Sequence, residues 1–179
     1  MFQAYTSYRF FLAGKHTSFI LGYIFNGDFM FRTGKVRKSI IKIALAATAS
    51  DGATLEKTDT AALSSALPYF DLFKDLSPEK VKSLVKECFD EIRKTASQGR
   101  IVDETAKSCQ ILKKNSIESE TALNAALFVC LYDGELCGHE VGYIETLNVN
   151  LHISRNEYNA ASQKMSLFIE NNKDSFKRS

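Results

Sequence analysis

The sequence predicts an all-α fold, a single-domain helical bundle of about seven to nine helices. Only 2 prolines and 9 glycines occur among 179 residues, and so few chain breakers favour long helices over short strands joined by tight turns. Hydrophobic residues make up 45% and charged residues 25% of the chain, a composition typical of a globular domain with a buried core. The helical spacing is clearest at Val81, Leu84, Val85, Cys88, Phe89 and Ile92.

The first firmly predicted helix leads to Asp51 with one apolar face. That face consists of Val36, Ile40, Ile43, Ala44 and Ala47. A second helix is expected after the loop, with Thr54 as its N-cap and Pro68 as its stop. Its predicted apolar face consists of Leu55, Ala62, Leu63, Ala66 and Leu67.

Capping residues predict where three later helices begin. Ser77-Pro78-Glu79 and Asn115-Ser116 are strong helix starts, and Ser154 with Glu157 forms a capping box. A looser helical pattern covers residues 101–112. Residues 122–132 are apolar on nearly all sides, so this helix is predicted to lie at the centre of the bundle.

Residues 29–170 are expected to form the helical domain, and residues 171–179 are expected to fray. Residues 1–28 form an aromatic extension in which no window reaches the roughly 18–20 apolar residues of a membrane-spanning helix. We expect this extension to pack on the helical body. A partner-docking segment and an interfacial membrane anchor are the alternatives.

Charge is unevenly distributed along the chain, although the net charge is only +2. The first 50 residues contain a single acid, Asp28, and seven bases: Arg9, Lys15, Arg32, Lys35, Arg37, Lys38 and Lys42. Between Lys114 and Arg155 there is no Lys or Arg. This pattern predicts a basic pole and an acidic pole, unless folding interleaves the two regions.

Two similar units lie 82 residues apart, each an apolar helical run that ends in Asp-Gly. The first has Asp51-Gly52 followed by Glu56, and the second has Asp133-Gly134 followed by Glu135 and Glu140. Such self-similarity indicates a duplicated helix–loop–helix unit with carboxylates at equivalent corners. We call these two segments the Asp-Gly corners.

The aspartates of both corners fall at the negative end of a helix dipole, where an anionic side chain is unfavourable. One interpretation is that Asp-Gly is an ordinary helix stop. The other is that a cation lies between the carboxylates, in which case the ligands are Asp51, Glu56, Asp133, Glu135 and Glu140. Oxygen ligands of this kind suit calcium or magnesium better than zinc.

The chain resembles the TerB-like family, which is associated with bacterial tellurite resistance. The matching residues are Phe29-Met30 ahead of the first long helix, the run ending at Asp51-Gly52 with Glu56, and Asp133-Gly134 with Glu140. The resemblance covers roughly residues 29 to 160. It implies a bundle of two pseudo-symmetric halves and a divalent metal at clustered acids.

In function, the resemblance implies a non-enzymatic binding or scaffold protein of a cytoplasmic stress-response system. Such a protein works with partner proteins near the inner membrane, and both peripheral membrane association and a homodimer remain open. The chain departs from the family pattern at Lys57, which follows Glu56, and at Leu136, Cys137 and His139 in the second corner. These positions tend to be acidic in the family, so the departures weaken the case for metal.

Other binding sites and chemistries fit the sequence less well. A calcium EF-hand starting at Asp133 would place Ile144 at the twelfth position, where a Glu is needed. A zinc site at Cys130, Cys137 and His139 lacks a short Cys pair and a fourth ligand. The usual phosphate-loop, dinucleotide, zinc-protease and nucleophile-elbow motifs are absent, so we expect no enzymatic activity.

A second reading of function uses the bases around the first helix. Arg32, Lys35, Arg37, Lys38 and Lys42 could dock an acidic partner, a membrane surface or nucleic acid without any metal. Their spread is more typical of the solvated face of an amphipathic helix, so nucleic acid is the less favoured partner. The four cysteines are expected to be reduced and Cys130 to belong to the core.

Overall fold

The computed structural model describes the backbone of residues 17–50, 57–132 and 136–176, and side chains from Arg32 onward within these ranges except at 57–59 and 175. All regular elements in these ranges are helical, which confirms the all-α prediction. The α-helices are α1 (Thr17–Thr48), α2 (Lys57–Ala66), α3 (Pro78–Ser97), α4 (Ile101–Leu112), α5 (Ser116–Tyr132), α6 (Gly138–Leu151) and α7 (Arg155–Phe176). Two 3₁₀ turns, Leu67–Tyr69 and Asp71–Phe73, connect α2 to α3. The predicted pseudo-symmetry of the two halves stays a prediction.

Helix α5 is the central element of the core, as its composition predicts. Every residue from Ala122 to Cys130 is buried, and α5 packs against α2, α4, α6 and α7. A helix without a polar face can satisfy its apolar surface only when neighbours surround it. Its last turn leads directly into the second Asp-Gly corner.

The C-terminal half of α1 is buried more completely than the sequence predicted. Ile41, Leu45 and Ala46 lie off the predicted apolar face, yet all three are as fully buried as Ile40 and Ala44. The prediction of a single buried face was therefore too narrow. Phe29-Met30 also lies inside α1 rather than ahead of it, because the helix continues without interruption from Thr17 to Thr48.

The predicted helix starts are confirmed by their hydrogen bonds. Ser77 Oγ accepts from Lys80 N (3.3 Å), and Asn115 Oδ1 accepts from Ile117 N (3.0 Å). Ser154 N donates to Glu157 Oε2 (2.7 Å) in the predicted capping box. Such caps satisfy backbone N–H groups that the first turn of a helix leaves without intrahelical partners.

The chain end is more ordered than predicted, because α7 continues through residues 171–176. Phe176 is buried, and its ring lies 5.2 Å from that of Phe128 and 5.6 Å from that of Phe168, centroid to centroid. Burial of an aromatic ring at the last turn stabilises the helix against fraying. Residues 177–179 lie outside the described part of the chain.

The chain divides into two compact units, Met1–Thr33 and Gly34–Ser179. In the first, residues 17–33 form the beginning of α1. The predicted packing of the aromatic extension on the body falls on residues whose side chains are not described, so it stays a prediction. Among the described residues, no helix combines the length and apolar character needed to cross a bilayer.

Candidate functional site

Of the five predicted carboxylates, Glu140 alone lies in the described part of the chain. Asp51, Glu56, Asp133 and Glu135 lie outside the described residues. Glu140 is in the first turn of α6, where its Oε2 accepts a hydrogen bond from Cys137 N (2.8 Å). Cys137 and Glu140 form a capping box, so Glu140 helps to start α6 and one carboxylate oxygen, Oε1, is not needed for the cap.

A cleft of about 430 Å³ separates the end of α1 from α4 and α6. Ala49 and Ser50 line it just after the end of α1, Ile101 and Thr105 from α4, and His139 and Tyr143 from α6. We call it the α1–α6 cleft. Ser50 directly precedes the first Asp-Gly corner, and His139 lies in the second, next to Glu140. The helix ends that lead into one corner and out of the other therefore border the same cleft.

Tyr143 forms a rigid wall of this cleft. Its hydroxyl donates to the carbonyl oxygen of Ile43 (2.9 Å) and lies 3.3 Å from Thr105 Oγ1. Burial raises the pKa of the Tyr143 hydroxyl well above its usual value, since the charged form is poorly solvated there. The neutral hydroxyl thus connects α6 to both α1 and α4 at neutral pH.

The polar side chains that line the α1–α6 cleft near the predicted corners are those of Ser50 and His139. Ser50 Oγ donates to Ala47 O (2.8 Å), which keeps its lone pairs available to accept. His139 is exposed, as is Cys137. Burial raises the pKa of Cys88 to about 12 and that of Cys109 to about 11, so these thiols remain protonated at neutral pH.

Neither alternative metal site is assembled in the described residues. Cys130 is buried in α5 whereas Cys137 and His139 are exposed, and no group of three or more His, Cys, Asp or Glu side chains within the described ranges could hold a metal. Ile144, the twelfth position of the EF-hand reading, is 1% exposed in the core. An isoleucine side chain has no oxygen to supply the bidentate ligand that a calcium EF-hand requires at this position.

Three bases of α1 pair with acids that lie outside the predicted acidic region between Lys114 and Arg155, so the predicted acidic pole stays a prediction. Lys42 Nζ lies 2.6 Å from Glu91 Oε2 and 2.7 Å from Glu104 Oε1. Lys38 pairs with Glu87 at 2.5 Å. Arg37 pairs with Asp75, and its Nε donates to Leu72 O (2.6 Å).

The pKa of Lys42 is raised in this arrangement. Burial alone would lower it, but the hydrogen bonds and charges of Glu104 and Glu91 outweigh the burial. The Arg37 guanidinium holds the pKa of Asp75 below its usual value. Arg37, Lys38 and Lys42 therefore each have a carboxylate partner within the chain, on α3, on α4 or ahead of α3.

Comparison with known proteins adds no relative to these observations. No family model, curated protein or solved structure matches the chain. The TerB-like resemblance therefore depends on the corner motifs and on the expectation that the fold is helical.

Sequence reasoning missed two residues that shape the molecule's cavities. Tyr143 belongs to no sequence motif, so only the fold shows that its hydroxyl reaches α1. Asn124 lies within the apolar run of α5, and its Oδ1 is buried without a hydrogen-bond partner. A lone amide in an otherwise apolar helix was a signal that could have identified Asn124.

Proposed function

We propose that this chain is a non-enzymatic binding protein that holds a divalent cation, calcium or magnesium, at its Asp-Gly corners. It would act through protein partners in a tellurite-resistance-type stress-response system. The observation that supports this proposal is that Ser50, which precedes the first corner, and His139, within the second, line one cleft. Carboxylates contributed by two separate segments of a chain are the usual oxygen ligands of these ions.

The described part of the second corner is compatible with such a role. Glu140 Oε2 is used by the cap, while Oε1 can accept a further partner. Its contribution would be one oxygen rather than a bidentate pair. Asp51, Glu56, Asp133 and Glu135 would supply the remaining carboxylates.

The second candidate function, docking through the bases of α1, has less support. Arg37, Lys38 and Lys42 already pair with carboxylates of the same chain. An external phosphate or acidic partner would compete with these carboxylates, most strongly at Lys42, whose side chain is the more buried member of its pairs.

Melting temperature against calcium and magnesium concentration tests the cation proposal. A ligand that binds only the folded state stabilises it by RT ln(1 + [L]/Kd). We therefore expect millimolar calcium or magnesium to raise the melting temperature of the wild type. The double variant Asp133→Asn with Glu140→Gln should lose this response. The Glu140→Gln change should not disturb α6, because a glutamine at this position of a capping box can still accept the backbone hydrogen bond.

Glu145→Gln is the matched control, because Glu145 is an exposed acid of α6 outside the capping box. It should retain the full response. A wild type that responds to no divalent ion, together with a double variant that is itself destabilised, would show that the corners are only helix stops.

A further inference from the structure

A second cavity, of about 250 Å³, lies between α5, α7 and the two 3₁₀ turns. Its apolar lining consists of Tyr69, Phe70, Met165 and Phe168. Its polar lining includes Asn124, Glu120, Asp71 and Lys164. We call it the α5–α7 cavity. None of its residues belongs to the Asp-Gly corners or to the α1–α6 cleft.

Asn124 carries the inference, because it is a buried polar group that the protein leaves without a partner. The residue is 7% exposed, and its Oδ1 is buried with no hydrogen-bond partner. A buried unpaired amide oxygen destabilises the folded state. Native proteins satisfy nearly all such groups, and because Asn124 also lines the cavity, its amide is the group to which we assign a hydrogen-bonding ligand.

The charges around Asn124 select the kind of donor. Glu120 lies one helical turn before Asn124 on α5, and Asp71 lies across the cavity. Lys164 Nζ is 3.4 Å from Glu120 Oε1, and both side chains are more than half exposed. An exposed pair of this length contributes little, so a ligand ammonium can replace Lys164 beside Glu120.

The apolar side of the cavity suits the body of the same ligand. The rings of Phe168 and Tyr69 lie 5.5 Å apart in an edge-to-face arrangement, and Phe70 lies 6.3 Å from Phe168. Aromatic faces attract cations as well as apolar groups. Tyr69 and Ile117 also line the cavity, although they are 49% and 62% exposed, so its apolar surface extends to solvent.

We propose that the α5–α7 cavity binds an organic amine, a protonated ammonium carried on an apolar or aromatic body. The ammonium donates to Asn124 Oδ1 and pairs with Glu120, while the body packs against Met165 and Phe168. The same chemistry is offered by a free small amine and by a lysine side chain of a partner protein. This inference does not depend on the cation proposal.

Phenethylamine is the probe for this site, titrated into the full chain and followed by amide shifts and calorimetry. We expect its shifts to centre on α5 and α7 and its affinity to exceed that of phenethyl alcohol and of phenylacetate by about tenfold or more, since hydrogen bonds to a charged group are the stronger ones. Equal affinities for the three probes, or no binding of the amine, would overturn the proposal and leave water as the partner of Asn124.

The Asn124→Leu variant separates binding from folding. It removes an unpaired buried oxygen, so its melting temperature should equal or exceed that of the wild type, while the affinity for phenethylamine falls about tenfold or more. Asn148→Leu is the matched control, because Asn148 Oδ1 is also buried and unpaired but does not line this cavity. Unchanged binding by Asn124→Leu, or an equal loss in Asn148→Leu, would contradict the proposal.

A second pair of variants tests whether the negative charge of Glu120 contributes to amine binding, and both variants change exposed residues. Glu120→Gln should weaken amine binding while the affinity for phenethyl alcohol is unchanged. Glu170→Gln, at an exposed acid of α7, should change neither. Loss of the alcohol together with the amine would show that Glu120 acts only on the shape of the cavity, which overturns the charge selection.

The two sources of the amine are distinguished by a short peptide, acetyl-Leu-Lys-Leu-amide. Tighter binding of the peptide than of phenethylamine identifies a lysine side chain of a partner as the occupant. Binding of phenethylamine alone identifies a free amine. Both results support the site, whereas binding that persists in Asn124→Leu does not.

Discussion

The C-terminal half of α1 and the segment of α5 from Ala122 to Cys130 are both almost completely buried, yet their polar groups differ. In α1, Lys42 lies between buried isoleucines and forms ion pairs with two carboxylates, Glu91 on α3 and Glu104 on α4. In α5, Asn124 lies between apolar residues and has a buried oxygen without a hydrogen-bond partner. The residue also lines the α5–α7 cavity. The two helices are thus similarly buried, but Lys42 of α1 is paired with carboxylates, whereas the side-chain oxygen of Asn124 in α5 has no partner.

The difference supports the proposal that α5 offers a binding site, whereas the polar group of α1 serves the fold. A buried charge needs a partner within the protein, because an unpaired one would be too costly. A neutral amide oxygen costs less, so a protein can retain it for a ligand. Because no Lys or Arg occurs between Lys114 and Arg155, α5 has no cationic side chain of its own that could donate a hydrogen bond to Asn124.

Leucine truncation should give the largest effect and should be the same in both helices. Leu45 in α1 and Leu127 in α5 are fully buried, and changing either to Ala should lower the free energy of unfolding by about 2–5 kcal/mol. Chemical denaturation measures the change. A cost below about 1 kcal/mol for one of them would show that its helix is peripheral, and the comparison would fail.

Removing the cation of α1 should give the next largest effect. Lys42→Met keeps the apolar stem but leaves Glu91 and Glu104 without their partner, so we expect a loss of about 1–3 kcal/mol, less than the ~3–5 of a fully buried pair. Lys38→Met is the control, because the Lys38–Glu87 pair is more exposed, and it should cost less than about 1 kcal/mol. Equal costs for the two variants would mean that burial does not distinguish these pairs.

The pH dependence of stability sharpens this test. Because the pKa of Lys42 is raised by folding, its contribution is fully present below the unfolded pKa of about 10.4 and is lost as the pH rises through the folded value. The stability advantage of the wild type over Lys42→Met should therefore be constant near neutral pH and shrink at alkaline pH. Urea denaturation from pH 7 to 11 measures it, and an advantage that grows with pH would contradict the assignment.

Tyr143→Phe should give the smallest of these effects. The change removes the hydrogen bond to Ile43 O and the contact with Thr105, and we expect a loss of about 0.5–1.5 kcal/mol. Protection of α6 amides from hydrogen exchange should fall with it. A neutral result would show that the hydroxyl does not hold α6 against α1.

Much of the architecture was predictable from local pattern. The starts of α3, α5 and α7 follow from Ser77, Asn115 and Ser154, whose short side chains can reach only nearby backbone amides. The central place of α5 follows from its composition, since no orientation could give it a polar face. The burial of Phe176 was not predictable, because its packing on Phe128 joins residues that are distant in the chain.

The sequence by itself determined the all-helical class, the caps that begin α3, α5 and α7, and the position of two Asp-Gly corners, because these depend on composition or on residues within a turn or two of one another. The tertiary structure decided which charges are paired and which polar group is left over. Lys42 meets Glu104, 62 residues away, and Tyr143 meets Ile43, 100 residues away, contacts that no local pattern encodes. Asn124 has a buried oxygen without a hydrogen-bond partner. It lines the cavity that the 3₁₀ turns and α7 form with α5, and these elements are distant from it in the chain.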